Sequence, residues 1–291
     1  MKEGFLIAGG LIILGLILQI SVGPMVWGAF AWPVNGMVLA GFLAIIIGIH
    51  LKRKKGYFFR FIGTYQAAIP TLVYAVVLTI IMGLTRQTSN GTWLHNMLTF
   101  WPFVLIYAFM AVILGQVVIR QLKKWAAAGF SLSLFPVSLL SHLGLFLAMT
   151  TATLGNADMQ RLKMITVVGE PEWRALTPEG AICEMPFTIG LKQFIMETYD
   201  DGTPKRFASE LQIQTASGDT IEATVDVNKP VEVEGWKIYQ YGYDTPMGAM
   251  SQTSILELVS DPWLPFVYTG IYMMLAGAVC MFVFGGKGRR V

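Results

Sequence analysis

Between Glu3 and Asp158 the chain has no Asp and no Glu, and 17 of its 18 acids fall between Asp158 and Asp261. Proton- and cation-coupled carriers place carboxylates at mid-bilayer, so an acid-free half argues against that class. Cysteine is almost as scarce. Cys183 and Cys280 are the only two, with no C-x-x-C, which removes a thioredoxin-like thiol exchanger and covalent haem attachment to this chain. Cys183 reads as a small buried residue or as a thiol that meets a partner's cysteines. The two are expected in different places, one water-facing and one in a membrane segment, which argues against a disulfide between them. There is no internal repeat and no low-complexity linker.

What is abundant is apolar sequence. Of 291 residues, 54% are hydrophobic and 13% charged, with a mean hydropathy of +0.57, the composition of a membrane protein. A spanning helix needs about 20 mostly apolar residues, and six segments supply them: 4–23, 33–51, 64–85, 99–119, 132–153 and 263–285. Twelve basic residues (Lys2, five in 52–60, three in 120–124 and three in 287–290) fall on one side of such a chain, against Arg86 alone in the opposite short loops. The positive-inside rule therefore predicts cytoplasmic termini and an inner-membrane, multi-pass protein with residues 155–261 in the periplasm. A signal peptide cleaved after Ala29-Phe30-Ala31 is the alternative for the first segment. Its apolar run is longer than a usual signal core and Trp32-Pro33 follows at once, so a retained span is expected.

The predicted fold is thus an α-helical polytopic membrane protein with one β-rich extracytoplasmic domain inserted before the last helix. Its parts are 1–63 (two helices and a basic loop), 64–154 (helices three to five), 155–261 (the acidic domain) and 262–291 (the sixth helix and a basic tail). The acidic domain holds 8 basic and 17 acidic residues, a net charge of −9, opposite to what phosphate neutralisation needs, so no nucleic-acid partner is expected. Segments 161–168, 206–215, 219–227 and 231–240 are rich in β-branched and aromatic residues. Gly202-Thr203-Pro204, Ser217-Gly218-Asp219 and Asn228-Lys229-Pro230 separate them. With the alternation of Glu210–Thr215, they predict a small antiparallel sheet or sandwich.

Three histidines remain to be weighed. His50 ends the second span beside Lys52 and Arg53, and His95 follows Trp93 in an external loop; both suit an interface. His142 is placed near the middle of the fifth span, ~15 Å by helical rise from either end and from the depths of His50 and His95. An ionisable ring at that depth is a functional candidate by default. Ser138 and Ser141 could fix its tautomer, Gly144 would admit a flat ligand or another helix, and Phe146 lies on the same face. Pro136 is expected to bend the helix below. From spacing alone a ligand role and a hydrogen bond to a neighbouring helix stand level.

Ser141-His142-Leu143-Gly144-Leu145, Tyr199-Asp200-Asp201-Gly202-Thr203-Pro204-Lys205-Arg206-Phe207-Ala208-Ser209, Val227-Asn228-Lys229-Pro230, Gly235-Trp236-Lys237-Ile238-Tyr239-Gln240 and Asp261-Pro262 occur in that order around the predicted spans. This arrangement over 64–290 resembles the ResB (CcsB-like) component of cytochrome c biogenesis. The resemblance implies a haem-handling subunit of a system II cytochrome c synthase, at most one subunit of an enzyme. It would act with a CcsA/ResC-like membrane subunit and deliver non-covalent, transiently bound haem b to apocytochrome c outside the membrane. The family's intramembrane haem ligand would map onto His142. Ser138, Gly144 and Phe146 would line the site, with His95 a weaker candidate ligand. Two helices precede the family's core and no W-x-W-D motif is present, so a second protein must complete the synthase. The competing class is a non-catalytic scaffold whose external sheet docks a partner while His142 is structural. A transporter comes third, since no duplicated, broken-helix halves are visible.

Overall fold

The computed structural model describes residues 1–88, 91–131, 135–136 and 138–284. In chain order its helices are α1 (Lys2–Ser21), α2 (Val34–Lys52), the short α3 (Tyr57–Phe61), α4 (Tyr65–Leu84), α5 (Trp101–Ala127), α6 (Ser138–Gly155) and α7 (Leu264–Phe284). Among the described residues six of these, all but α3, are long and apolar enough to cross a membrane. Two ends differ from expectation. α5 runs eight residues past 119, because Arg120–Ala127 is a good helix former whatever its polarity. α6 begins at Ser138 rather than at 132. Pro136 precedes the helix and bends nothing within it; proline lacks a donor and disfavours α backbone in the residue before it. Residues 132–134 and 137, and the basic tail Lys287, Arg289 and Arg290, lie outside the described residues.

The chain divides into two compact units, Met1–Asp158 with Trp263–Val291, and Met159–Pro262. In the helical unit α1 packs on α4 and α5 through Ala8, Ala75, Leu78, Phe103 and Ile106, with Met97 from the turn before α5, all buried. Small residues set the other close contact. A Cβ on Gly144 of α6 would stand 2.5 Å from the Gly270 carbonyl oxygen of α7, and one on Gly270 would stand 2.6 Å from the Ala148 nitrogen. In hydrocarbon such small-residue seams, rather than a hydrophobic driving force, let helices associate.

The second unit is an eight-stranded antiparallel sheet. Its strands are β1 (Gln160–Val167), β2 (Pro171–Leu176), β3 (Ile182–Thr198), β4 (Pro204–Gln214), β5 (Thr220–Asp226), β6 (Val231–Val233), β7 (Trp236–Tyr243) and β8 (Thr253–Ser260). Their order is β5-β4-β3-β2-β1-β8-β7-β6. The expected segments are β1, β4, β5 and β6–β7. The last is two strands, because Glu234 (φ 50°) and Gly235 (φ 80°) form a tight turn inside it. The three expected turns are present, with positive φ at Gly202, Gly218 and Asn228. Leu211 and Ile213 point inward while Gln212 and Gln214 point out, the alternation of a half-buried strand.

Each strand contributes to one core: Met164, Ala175, Ile189 and Leu211 from β1–β4, and Val225, Val233, Ile238 and Leu256 from β5–β8. Strands distant in the ladder also meet. The buried Ser209 hydroxyl of β4 bonds Gln240 Oε1 of β7 (2.6 Å) and Ser254 Oγ of β8 (2.7 Å). The sheet therefore curls over on itself, helped by register shifts at Leu191/Gln193 and Gln240/Gly242.

Candidate functional site

α6 carries several polar side chains through an apolar helix, and most are satisfied within it. The Thr150 and Thr151 hydroxyls donate to the carbonyls of Phe146 and Leu147 one turn back. His142 follows the same pattern: its Nδ1 lies 2.6 Å from the Ser138 carbonyl oxygen. A carbonyl only accepts, so Nδ1 carries the proton and donates. In the neutral ring Nε2 then holds the lone pair, the state a metal ligand needs. The contact is to the Ser138 backbone carbonyl, not to the serine hydroxyl that the sequence offered for this role.

The Ser138 hydroxyl instead faces Gln121 of α5, whose Nε2 is 2.8 Å away and 3.4 Å from His142 Nδ1. Two donors cannot share that second contact. Turning the Gln121 amide over would point Oε1, buried and unpartnered in the present orientation, at both the imidazole N–H and the serine hydroxyl. Gln121 is a neighbour that sequence reasoning missed, since a glutamine near the end of a span reads as interfacial. Ser141 does not touch the imidazole. Its Oγ is buried without a partner, and a Cβ on Gly277 of α7 would collide with it.

Other expected site residues are placed differently. His142 is the fifth residue of α6, ~6 Å by helical rise from Ser138 and ~20 Å from Gly155, so it sits toward one end of the helix, not at its middle. Gly144 is occupied by the backbone of α7, which closes that side to a flat ligand. Phe146 stacks on Phe42 of α2, ring centroids 6.5 Å apart and 8° from parallel. Taking that pair as one level, His50 lies ~12 Å below along α2 and His142 ~6 Å below along α6, a depth difference of ~6 Å and not the expected ~15 Å. His50 Nδ1 is buried without a partner. His95 is exposed in the 86–98 loop, its Nδ1 3.1 Å from the Arg86 carbonyl. Two cavities, of about 440 and 290 Å³, occur in the helical unit and neither is lined by His142. Among the described residues no cluster of three His, Cys, Asp or Glu could hold a metal ion, and both cysteines are free.

One carboxylate stands out in the helical unit. Asp158 Oδ1 accepts from the Trp32 backbone N–H (2.7 Å), and Oδ2 from Asn35 Nδ2 (2.7 Å) and Trp263 Nε1 (2.6 Å). Asn35, fully buried, also reaches the Leu154 carbonyl. Burial works against ionisation here, but the donors from Trp32, Asn35 and Trp263 outweigh it and hold the carboxyl below its ordinary range. Asp158 therefore joins the approach to α2, the end of α6 and the approach to α7.

Residues 137–255 match the model of the ResB-like family. Cytochrome c biogenesis protein CcsB of Prochlorococcus marinus subsp. pastoris is 28% identical over 135 residues, which is 46% of this chain and 31% of that protein. This chain carries a ResB-like region. The region spans α6 to the first three residues of β8 and is narrower than the 64–290 of the sequence resemblance; Asp261-Pro262 lies outside it. The chain matches about a third of the length of the CcsB protein. A solved structure of cytochrome c haem lyase CcmF is similar at a TM-score of 0.40 and 11% identity, over 85% of this chain and 44% of that one.

Inside the ResB-like region the signature residues do structural work. Tyr199–Thr203 forms the β3–β4 turn, closed by the Tyr199 N–H on the Thr203 carbonyl (2.8 Å) and by Asp201 Oδ1 accepting from the Thr203 N–H and hydroxyl. Arg206 donates to both oxygens of Asp226 on β5 and to Glu197 on β3 (3.0 Å), which raises its own pKa and lowers that of Asp226. The motifs in the sheet thus specify turns and strand pairing.

Proposed function

We propose that this chain is the haem-handling subunit of a system II cytochrome c synthase. In this reading it works beside a CcsA/ResC-like membrane subunit and presents haem to apocytochrome c on the outer side of the inner membrane. Its termini are cytoplasmic, and residues 155–261 face the periplasm. The ResB-like region and the cytochrome c biogenesis role named for the CcsB relative support the pathway. The single observation that carries the site is the His142 Nδ1–H bond to the Ser138 carbonyl, which leaves Nε2 as the ligating nitrogen. Haem is cargo here, and His142 supplies one axial position. α7 fills the Gly144 side and neither cavity reaches the ring, so the porphyrin face is completed by the second subunit. With its amide turned so that Oε1 faces the ring, Gln121 would accept from the same N–H and help to hold the imidazole.

The test is replacement of His142 in cells that mature a reporter cytochrome c, with absorption spectra of the purified complex. His142→Ala should abolish co-purifying haem and maturation while the protein still inserts, and added imidazole should partly restore both. The scaffold reading is favoured by one feature, that His142 and Gln121 could simply join α5 to α6. Under it His142→Asn, which keeps a hydrogen-bonding group but is a poor haem ligand, would mature cytochrome c normally. That result would overturn the ligand assignment.

A further inference from the structure

The larger cavity has no part in the haem reading. It holds about 440 Å³, within the ~300–1,000 Å³ typical of ligand pockets, and every lining residue belongs to the helical unit. Val38 and Phe42 of α2 form one wall, Phe103, Val104 and Ala108 of α5 a second, and Met149 and Ala152 of α6 a third. Trp27, Phe30 and Leu98 lie at the end of the cavity where α6 finishes. From Phe103 to Ala111 it extends ~12 Å along α5. Val38 and Leu98 are 37% and 51% exposed, and Ala108, Ala152 and Thr153 are also exposed, so the cavity opens sideways between the helices.

Most of its polar groups are already committed; the Asn156 side-chain amide, just past the end of α6, is the exception. Trp27 Nε1 donates to the Leu98 carbonyl (3.0 Å), and the Tyr107 hydroxyl pairs with Thr79 (2.6 Å). The hydroxyls of Thr150 and Thr153 donate to Phe146 and Met149 in their own helix. No charged residue and no histidine lines the space. A ligand there finds no imidazole, only the Met25 and Met149 thioethers, and no cation for a carboxylate, which argues against haem with its propionates as the occupant. Apart from the Asn156 amide at one end, nothing within the cavity recognises a polar headgroup. What fits is a flexible, uncharged hydrocarbon, and the surrounding bilayer supplies it.

We propose that this cavity is a lipid site that takes one acyl chain of a membrane phospholipid between α2, α5 and α6, so that lipid helps seat α2 against the other two helices. The inference rests on the chain lying in a bilayer and is independent of the haem reading. The probe is a phosphatidylcholine with a photoreactive diazirine in its acyl chain, mixed into vesicles holding the full chain. Labelling should concentrate several-fold on peptides containing 98–111 and 149–156 relative to the outer faces of α1 and α4. Ala108→Phe and Ala152→Phe, both at exposed positions that a larger side chain can occupy without entering the core, should each bring it down to the outer-face level. Labelling of α4 should stay unchanged, which certifies the fold. Uniform labelling that the filling variants leave untouched would overturn the site. Loss of the label to a polyprenyl quinone or to zinc protoporphyrin, with excess phospholipid having no such effect, would overturn its assignment to a phospholipid chain.

Discussion

Replacing Asp158 should loosen the helical unit at one end while leaving the sheet intact. Its carboxylate accepts from Trp32, Asn35 and Trp263, and charge-assisted hydrogen bonds contribute about 1.5–3 kcal/mol each before loss of water contacts is discounted. Asp158 is only half-buried, so the Trp32 and Trp263 donors can recover water, but Asn35 is fully buried and its amide would keep only the long contact to Leu154. Asp158→Ala is therefore expected to cost about 2–4 kcal/mol, dominated by that stranded donor. Asp158→Asn should cost no less, because its new amide sets a donor against donors. For a unit of this size that corresponds to a drop in Tm on the order of 5–10 °C, read in detergent from near-UV circular dichroism. Proteolysis in the 22–33 connection should become faster in step. The pH dependence has a fixed sign. The carboxyl is held below its unfolded value of about 3.9, so its contribution is complete above that value and disappears as pH falls through the folded pKa. The wild type should lose its advantage over Asp158→Ala only in that acid range. An unchanged Tm together with unchanged proteolysis would refute the clamp.

Gly144→Leu should destabilise the α6–α7 pair by about 1–3 kcal/mol or more, since the new side chain overlaps the Gly270 carbonyl; wild-type thermal stability in the variant would contradict this seam. Arg206→Leu should lower the urea midpoint only slightly, because the arginine is 38% exposed and solvent screens its pairs, and a large fall in that midpoint would mean the pairs matter more than their exposure allows. Reporter fusions after Lys55 and Lys124 should signal cytoplasm and those within 160–255 the outside; the reverse pattern would remove the delivery role. Residues 158–260 expressed alone should give a β-rich spectrum and bind no haem, since that stretch has no histidine; a helical spectrum or stoichiometric haem would contradict it.

Hydropathy makes the six long helices legible because the property it measures is the one that selects them. The sheet is legible where strands alternate and turns need positive φ, as at Glu210–Thr215 and Gly218. β3 is harder to see. Its 17 residues contain Pro186 and Gly190, which read as breaks, yet it runs on past both, pairing with β2 within 182–190 and with β4 within 188–198. The helical ends are less legible still. Leu132, Leu134 and Phe135 are apolar enough to extend a hydropathy window, which moved the expected start of α6 six residues early and placed His142 at mid-span. Gln121 and Asp158 escaped notice for another reason. A side chain is selected by the atoms it meets, and those come from α5, α2 and α7, far away in sequence.

The same contrast bears on what the ResB-like motifs mean. Tyr199–Arg206 and Val227–Pro230 are recognisable because tight turns and strand-spanning ion pairs tolerate few residue types. The elements that would do chemistry are sparser. They are one imidazole with a fixed tautomer, a glutamine that can turn to accept from it, and a buried Ser141 hydroxyl that the chain itself leaves without a partner. A buried polar atom left unpaired costs about 1–3 kcal/mol, a penalty that persists only where something else satisfies it or a function requires it. All of these lie on α5 and α6, and none in the sheet. In the proposed assembly the sheet unit therefore provides the outer surface, whereas haem contact belongs to helices that a second membrane subunit completes.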